Sequence, residues 1–255
     1  MTMTRTQADV LDDFGELVGA ARAIVAFTGA GISTESGVPD FRSPGSPWLR
    51  NKPIDYDVFL ASSEARAEAW RRKFAMDDLY RGARPGRGHA ALARLVDEGR
   101  ATGIITQNID GLHQAAGVPA RQVVELHGNG TYALCIACER RHELGDIRAQ
   151  FDATGEAPIC LSCGEPVKSA TVSFGQSLPV AAMRRAGELA TGCDLFLAIG
   201  SSLVVHPAAG FPLLAKRHGA VLAILNREPT PLDEAADLVV RGEIGDVLGR
   251  IAPSA

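Results

Sequence analysis

Residues 23–42 read AIVAFTGAGISTESGVPDFR, and this stretch indicates the fold more strongly than any other part of the chain. The apolar run at 24–27 has the length and composition of a buried parallel strand. Gly29 and Gly31 follow it directly. Glycines at that place let the backbone approach a phosphate closely, and free N–H groups at the next helix start can bind it. The stretch therefore predicts a nucleotide-binding α/β fold.

The same stretch departs from the usual dinucleotide fingerprint. Thr34 stands where a third glycine is expected, and Leu49 and Arg50 stand where an acidic residue is expected about twenty positions on. The segment 33–42 is polar and contains glycine and proline, whereas a Rossmann helix would show an apolar stripe. These departures favour a loop that folds over a ligand and disfavour an ordinary dehydrogenase.

The bulk composition limits the classes of function. The chain has 255 residues with 46% hydrophobic content, enough for one large core and a small satellite domain. A net charge of −4 gives no electrostatic basis for binding nucleic acid or a membrane. The start of the chain lacks the apolar run of a signal peptide, and we predict no transmembrane helix. We expect a cytoplasmic protein whose oligomeric state and physiological protein substrates the sequence does not indicate.

Polar residues follow several of the predicted strands. Further strands are predicted at 102–106, 122–126, 194–199, 220–225 and 237–240, and ligands of open α/β sheets bind beyond the carboxyl ends of such strands. Asn108 and Asp110 follow the second strand, and helix capping is an equally good interpretation of them from the residues alone. His127 follows the third, and a single histidine there is more often structural than catalytic.

The cysteines form two Cys-x-x-Cys pairs, Cys135 with Cys138 and Cys160 with Cys163. Two such pairs predict a closed, tetrahedral, structural zinc site, with a redox role as the alternative. The segment 128–170 is too short to bury a core of its own, and zinc binding can supply about 10–16 kcal/mol of folding free energy. We expect His142 on the surface and Cys193 as an inert core thiol.

Five motifs occur in the order found in the sirtuins, the NAD-dependent protein-lysine deacylases. They are GAGISTESGVPDFR, TQNIDGLH from Thr106, His127-Gly128, the two cysteine pairs and GSSL from Gly200, and the chain resembles this family over residues 23–248. The resemblance implies a Rossmann-like parallel sheet with helices on both faces and an inserted small domain. Residues 1–42, 89–127 and 171–255 would form the NAD-binding domain. Residues 43–88 would form the helical module and 128–170 the zinc ribbon of the small domain.

The resemblance also implies roles for individual residues. His127 would be the general base, and Asn108 would act in catalysis beside Asp110 at the nicotinamide ribose. Phe174 and Gly175, on a strand at 171–175, would bind the acyl-lysine peptide together with Val204 and Val205. Ser173 and Gln176 depart from the common pattern there. The residues implied to bind NAD are Gly29, Ala30, Gly31, Ser33, Asp40, Phe41, Arg42, Gln107, Asn108, Ile109, Asp110, Gly200, Ser201, Ser202, Asn226 and Ile244.

The reaction implied by the resemblance consumes NAD. The acyl-lysine amide oxygen attacks the anomeric carbon of the nicotinamide ribose, nicotinamide leaves, and His127 then activates a ribose hydroxyl. An ordinary histidine pKa of about 6.5 suits such a base. The products would be free lysine, nicotinamide and O-acyl-ADP-ribose. An NAD glycohydrolase or mono-ADP-ribosyltransferase is the alternative on the same scaffold, and a non-catalytic NAD sensor is a third hypothesis against which His127 argues.

Residues in the helical module, 43–88, indicate which acyl group on lysine would be preferred. Sirtuins that prefer acidic acyl groups resemble one another in a Tyr-x-x-Arg pair, and here Ala69 stands at the Tyr position and Arg72 at the Arg position. We therefore predict a preference for neutral acyl groups. The simpler interpretation of this segment is that Trp70 and Phe74 are core residues. We predict that His89 is a helix cap or packing residue and that His113 supports the loop after the second strand.

Overall fold

The computed structural model describes residues 6–41 and 43–251. The strands are β1 (Ile24–Thr28), β2 (Ala101–Thr106), β3 (Val123–Glu125), β4 (Gly128–Cys135), β5 (Arg141–Glu143), β6 (Val167–Thr171), β7 (Leu195–Ile199), β8 (Val221–Leu225) and β9 (Leu238–Val240). The α-helices are α1 (Gln7–Ala20), α2 (Tyr56–Ala61), α3 (Ser63–Leu79), α4 (Arg87–Asp97), α5 (Leu112–Ala115), α6 (Leu144–Thr154), α7 (Val180–Gly192), α8 (Phe211–Arg217) and α9 (Ile244–Ile251).

Six strands form a parallel sheet in the order β3-β2-β1-β7-β8-β9. Every residue of β1 is buried, as expected for a strand covered on both faces. Ile24 and Ala26 pack toward α1, α4 and α9 on one face, whereas Val25 and Phe27 pack toward α7 and α8 on the other. This alternation follows from the two-residue period of a strand, and it confirms the predicted fold class.

A three-stranded antiparallel sheet, in the order β5-β4-β6, accompanies the helical insertion. Trp70 and Phe74 of α3 are buried against Phe151 of α6 and Val167 of β6. The Trp70 indole nitrogen also donates to the Val167 carbonyl oxygen at 3.1 Å. The interpretation of Trp70 and Phe74 as core residues is therefore confirmed. Since α3 supplies large side chains to this core, the ribbon shares its hydrophobic burial with the helical insertion. The domain boundaries stay a prediction.

The structure corrects two predicted elements. The strand predicted at 171–175 is wrong, because β6 ends at Thr171 and the chain then turns: the Gln176 amide donates to the Ser173 carbonyl oxygen at 3.0 Å, and Gly175 has φ of 80°. The first part of the loop predicted at 33–42 belongs to a 3₁₀ helix, Ala30–Ser36, which is followed by Gly37 with φ of 80°. Within the described residues, none of the helices is both long and apolar enough to cross a membrane.

Candidate active site

A cleft of about 1360 Å³ opens at the carboxyl ends of the parallel strands. Gly29 follows β1, Gln107 follows β2, Gly200 follows β7 and Asn226 follows β8, and all four residues line the cleft. His127, two residues after β3, lines it as well. The topology thus brings together polar residues that are far apart in sequence, at the place where open α/β sheets bind ligands.

Two glycine-containing turns cross closely at the centre of the cleft. The Gly31 amide donates to the Gly200 carbonyl oxygen at 2.8 Å. A Cβ atom on Gly31 would lie 2.7 Å from the Gly200 Cα, and one on Gly29 would lie 2.7 Å from the Gly200 carbonyl oxygen. Gly200 itself has φ of 61°, which favours glycine. Only glycine fits this crossing, and the absence of side chains there lets a ligand in the cleft approach the backbone closely.

Asn108 and Asp110 are oriented by Ser33 from the neighbouring segment. The Asn108 side-chain nitrogen donates to the Gly29 carbonyl oxygen and to the Ser33 hydroxyl, each at 3.1 Å. The Ser33 hydroxyl donates to Asp110 Oδ2 at 2.7 Å, and Asp110 Oδ1 accepts from the Leu112 amide at 2.9 Å. Both hydrogens of the Asn108 amide are therefore used, so its oxygen is the atom that remains to accept from a ligand. Asp110 thus bonds the first residue of α5 but is not its N-cap, because Gly111 occupies that position.

His127 has a defined tautomer. Its Nδ1 lies 3.0 Å from the Gln107 carbonyl oxygen, which can only accept. In the neutral ring, Nδ1 therefore carries the proton and Nε2 is the basic nitrogen. Burial lowers the pKa of His127 below its ordinary value, although the Gln107 bond opposes the shift. The expectation of an ordinary pKa is wrong in this respect, and the correction favours the neutral, basic form at neutral pH.

Further amide and hydroxyl groups line the cleft. Gln107 donates to the hydroxyl of buried Ser201 at 2.8 Å. Asn226 is half-buried, and its side-chain nitrogen donates to the Glu228 carbonyl oxygen at 2.7 Å. Ile244, the first residue of α9, also lines the cleft. These groups can accept from, or donate to, the hydroxyls of a sugar.

Phe41 is held against Trp48 near the cleft entrance. The two rings are stacked, with centroids 4.4 Å apart and planes inclined by 11°. The Trp48 indole nitrogen donates to the Pro39 carbonyl oxygen at 3.1 Å. Phe41 is still 39% exposed, so part of its side chain remains free to contact a ligand. Arg42, also predicted to bind NAD, lies outside the described residues.

The predicted substrate residues lie on two loops. Phe174 is 62% exposed, and Gly175 has φ of 80° with open space around it. Val205 lines the cleft with them, whereas exposed Val204 is not part of the cleft wall. All the other described residues that we predicted to bind NAD, to bind the peptide or to act as the base also line the cleft.

The sequence reasoning missed several residues of the cleft wall. Lys73 of α3 pairs with Asp77, and Tyr80 donates to the same carboxylate at 3.2 Å. Burial lowers the pKa of Lys73 and raises that of Tyr80. The i, i+4 spacing of Lys73 and Asp77 on a predicted helix was the available signal. Lys168 was also missed; it is buried, its pKa is lowered to about 8 by burial, and its ammonium donates to the Ser169 and Thr171 carbonyl oxygens.

Glu35 was missed for a different reason. Its carboxylate accepts from the Arg87 main-chain nitrogen at 3.1 Å and pairs with the Arg87 guanidinium, which also pairs with Asp246. A Cβ atom on Gly245 would collide with this carboxylate. Glu35 thus connects the glycine segment to the starts of α4 and α9, and its partners are too distant in sequence to be predicted.

Arg72 lies at the cleft wall, and its positive charge is already paired with the carboxylate of Glu68. Its guanidinium contacts Glu68 at 2.7 Å and the Lys52 carbonyl oxygen at 2.8 Å. These bonds use N–H donors of the guanidinium at Nε and one Nη atom. Arg72 therefore has fewer donors left to bind a ligand carboxylate bidentately.

The side chains of the four cysteines in the two Cys-x-x-Cys motifs lie close together. Their Sγ atoms lie within 4.8 Å of one another, and three of the separations are 3.4, 3.5 and 3.7 Å. A tetrahedral zinc ion with Zn–S bonds of about 2.3 Å requires separations of about 3.8 Å, so the thiols fit a structural zinc ion.

Cys193 is buried elsewhere, and burial raises its pKa to about 11, as expected for an inert thiol. His142 is half-buried beside this cluster, not on the surface, because it lies on β5 next to Cys160.

The chain is similar to known proteins over nearly its whole length. The family model described as "Sir2 family" matches residues 29–207. The "NAD-dependent protein deacetylase" of Rhodopseudomonas palustris is 62% identical over 94% of both chains. The "NAD-dependent protein deacetylase 1" of Bradyrhizobium diazoefficiens is 57% identical, again over 94% of both. A solved structure described as "Sir2-p53 peptide-NAD+" superposes with a TM-score of 0.84 at 37% identity, covering 94% of this chain and 96% of the other.

Proposed function

Because this chain belongs to the Sir2 family, we propose that it is an NAD-dependent protein-lysine deacetylase or deacylase. Its products are free lysine, nicotinamide and O-acyl-ADP-ribose. The observation that supports the proposal most strongly is the geometry of His127, whose Nε2 is the basic nitrogen and which lines the same cleft as Asn108 and the glycine crossing. A protein that only bound a nucleotide would have no need of such a base.

In this proposal, NAD supplies an electrophilic ribose carbon and nicotinamide as its leaving group. The crossing of Gly29, Gly31 and Gly200 holds the phosphates, with Ser201 and Ser202 beside them. Gln107 and Asn226 contact ribose hydroxyls, and Asn108 and Asp110 hold the nicotinamide ribose and carboxamide. Ala30, Ser33, Asp40, Phe41, Arg42, Ile109 and Ile244 complete the NAD-binding surface.

The peptide enters between the Phe174 and Val205 loops. The residues after Thr171 lie outside any strand, and part of their main chain is already bonded: the Val172 amide donates to the His127 carbonyl oxygen at 2.8 Å, and the Phe174 carbonyl oxygen accepts from the Tyr56 amide at 2.9 Å. An extended peptide pairs with the main-chain groups that remain on this segment. Gly175, Val204 and Val205 contribute contacts on either side, and Phe174 lines the path of the acyl-lysine. The acyl group then lies near Arg72 and Ala69, where the neutralised guanidinium favours a neutral acyl chain.

Incubation with an acetyl-lysine peptide tests the proposal. Mass spectrometry should show loss of one acetyl group only when NAD is present. Release of ADP-ribose without deacetylation would favour the glycohydrolase, and attachment of ADP-ribose to protein would favour the transferase.

A further inference from the structure

Two buried histidines lie directly beneath the cleft, and the proposed reaction gives them no role. His89 is 0% and His113 is 1% exposed, with ring centroids 5.0 Å apart. Burial lowers the pKa of both rings, that of His113 to about 3. Both rings are therefore neutral at neutral pH, and each has one N–H donor and one acceptor nitrogen.

The structure defines which nitrogen of His89 is the donor. The Gly86 main-chain nitrogen lies 3.3 Å from His89 Nδ1 and donates to it, which caps α4. Because an amide N–H can only donate, the proton of the neutral ring is on Nε2. Nε2 lies 3.4 Å from the Ser33 hydroxyl and donates to it. The predicted capping role of His89 is confirmed, and its second nitrogen reaches the cofactor segment.

The Ser33 hydroxyl is fully satisfied by its three partners. It accepts from His89 Nε2 at 3.4 Å and from Asn108 Nδ2 at 3.1 Å, and it donates to Asp110 Oδ2 at 2.7 Å. A hydroxyl has two acceptor lone pairs and one hydrogen, so these bonds exhaust its capacity. With both lone pairs filled, its hydrogen points only to Asp110. The His89 donor thus stabilises the one arrangement in which Asn108 and Asp110 are both correctly bonded.

We infer that His89 is a positioning residue, which acts through Ser33 to orient Asn108 and Asp110 toward the cleft without touching NAD or peptide. The inference rests on the proposed function, because it assigns these two residues to the nicotinamide ribose. His113 does not share the role. Its Nε2 bonds to Thr28 Oγ1 at 2.9 Å, and its Nδ1 is buried with no hydrogen-bond partner in the described part of the chain.

Two substitutions separate capping from positioning. In His89→Asn the side-chain oxygen replaces Nδ1 and keeps the cap, but the donor to Ser33 is lost. In His89→Gln the amide nitrogen replaces Nε2 and keeps that donor, but the cap is lost.

We expect His89→Asn to lower kcat for acetyl-peptide-dependent nicotinamide release roughly tenfold with little change in peptide KM. We expect His89→Gln to keep kcat within about twofold while its melting temperature falls, as for a lost cap.

A double-mutant cycle with Ser33→Ala tests whether His89 acts through Ser33. We expect His89→Asn to cause no further loss of kcat in the Ser33→Ala background, because the hydroxyl it orients is absent. His218→Asn, at an exposed histidine outside the cleft wall, is the matched control. Wild-type kcat in His89→Asn, or equal losses in both backgrounds, would overturn the inference.

Calorimetry separates this inference from the proposed function. If the wild type binds NAD but deacetylates no peptide, the proposed function fails and the same variants are compared for NAD affinity. Weaker NAD binding by His89→Asn than by His89→Gln would support positioning. Equal NAD affinity in the two variants would overturn it.

Discussion

The Nδ1 atom of His127 lies 3.0 Å from the carbonyl oxygen of Gln107, and this bond determines which ring nitrogen is basic. Gln107 follows β2 and His127 follows β3, its neighbour in the parallel sheet. The pairing of two strands therefore sets the tautomer of a side chain at their carboxyl ends. Nε2 is left as the nitrogen that can accept a proton in the cleft.

Replacing His127 tests its role as base. General-base catalysis typically contributes about 10²–10⁴-fold, so His127→Ala should lose at least roughly 10²-fold in deacetylation. NAD affinity, measured by calorimetry, should stay close to that of the wild type. Near-normal turnover in the variant would show that another residue is the base.

The pH dependence of kcat/KM should reflect the burial of His127, because this parameter reports the pKa of the free enzyme. The base must be neutral, and burial lowers its pKa, so it remains neutral at pH values where an exposed histidine is already protonated. The acidic limb of the kcat/KM profile should therefore lie below about pH 6.5, the ordinary histidine value. An acidic limb above that value would contradict the buried environment described here.

The glycine crossing should not tolerate a side chain. In Gly31→Ala the new Cβ would lie 2.7 Å from the Gly200 Cα, and overpacking of this kind costs about 1–3 kcal/mol. We expect lower thermal stability and much weaker NAD binding. Gly187→Ala, in the middle of α7 with nothing within 4 Å, is the matched control and should be neutral or slightly stabilising. Unchanged NAD affinity in Gly31→Ala would count against a phosphate site here.

The zinc prediction is tested by metal analysis. One zinc per chain is expected, and Cys160→Ala should lower the metal content and the melting temperature together, because metal binding contributes folding free energy. Cys193→Ala, which removes a buried thiol outside the cluster, is the matched control, and this variant should still bind one zinc per chain. Since Trp70 packs in the same core as Cys160, its fluorescence should change on zinc loss. A stable, metal-free and fully active Cys160→Ala protein would refute a structural zinc.

The sequence predicted the parallel sheet and the thiol cluster because each has a local signature. The apolar run of β1 and the spacing of the cysteine pairs can each be recognised within a short segment of the sequence. The burial of His127 and the contacts of Glu35 with Arg87 depend on tertiary packing between distant segments. The strand predicted at 171–175 was wrong because the chain turns after β6, where the Gln176 amide bonds to the Ser173 carbonyl oxygen and Gly175 has φ of 80°.

The acyl preference depends on how firmly Arg72 is held. Steady-state kinetics should give a higher kcat/KM for acetyl-lysine than for succinyl-lysine on the same peptide, because Arg72 is engaged by Glu68 and Lys52. Glu68→Gln removes the competing carboxylate and should raise succinyl kcat/KM relative to acetyl. Glu188→Gln, which disrupts a similar pair with Arg184 on α7, should change neither value. A wild type that prefers succinyl would refute this argument.

The most direct test of the proposed function is the dependence of nicotinamide release on an acetylated peptide. Nicotinamide and deacetylated peptide should be measured together, with wild-type protein and saturating NAD, in the presence and absence of acetyl-lysine peptide. We predict negligible nicotinamide release without the peptide and equal amounts of nicotinamide and deacetylated lysine with it. Nicotinamide release at the same rate without any acetylated peptide would contradict the deacetylase and indicate an NAD glycohydrolase.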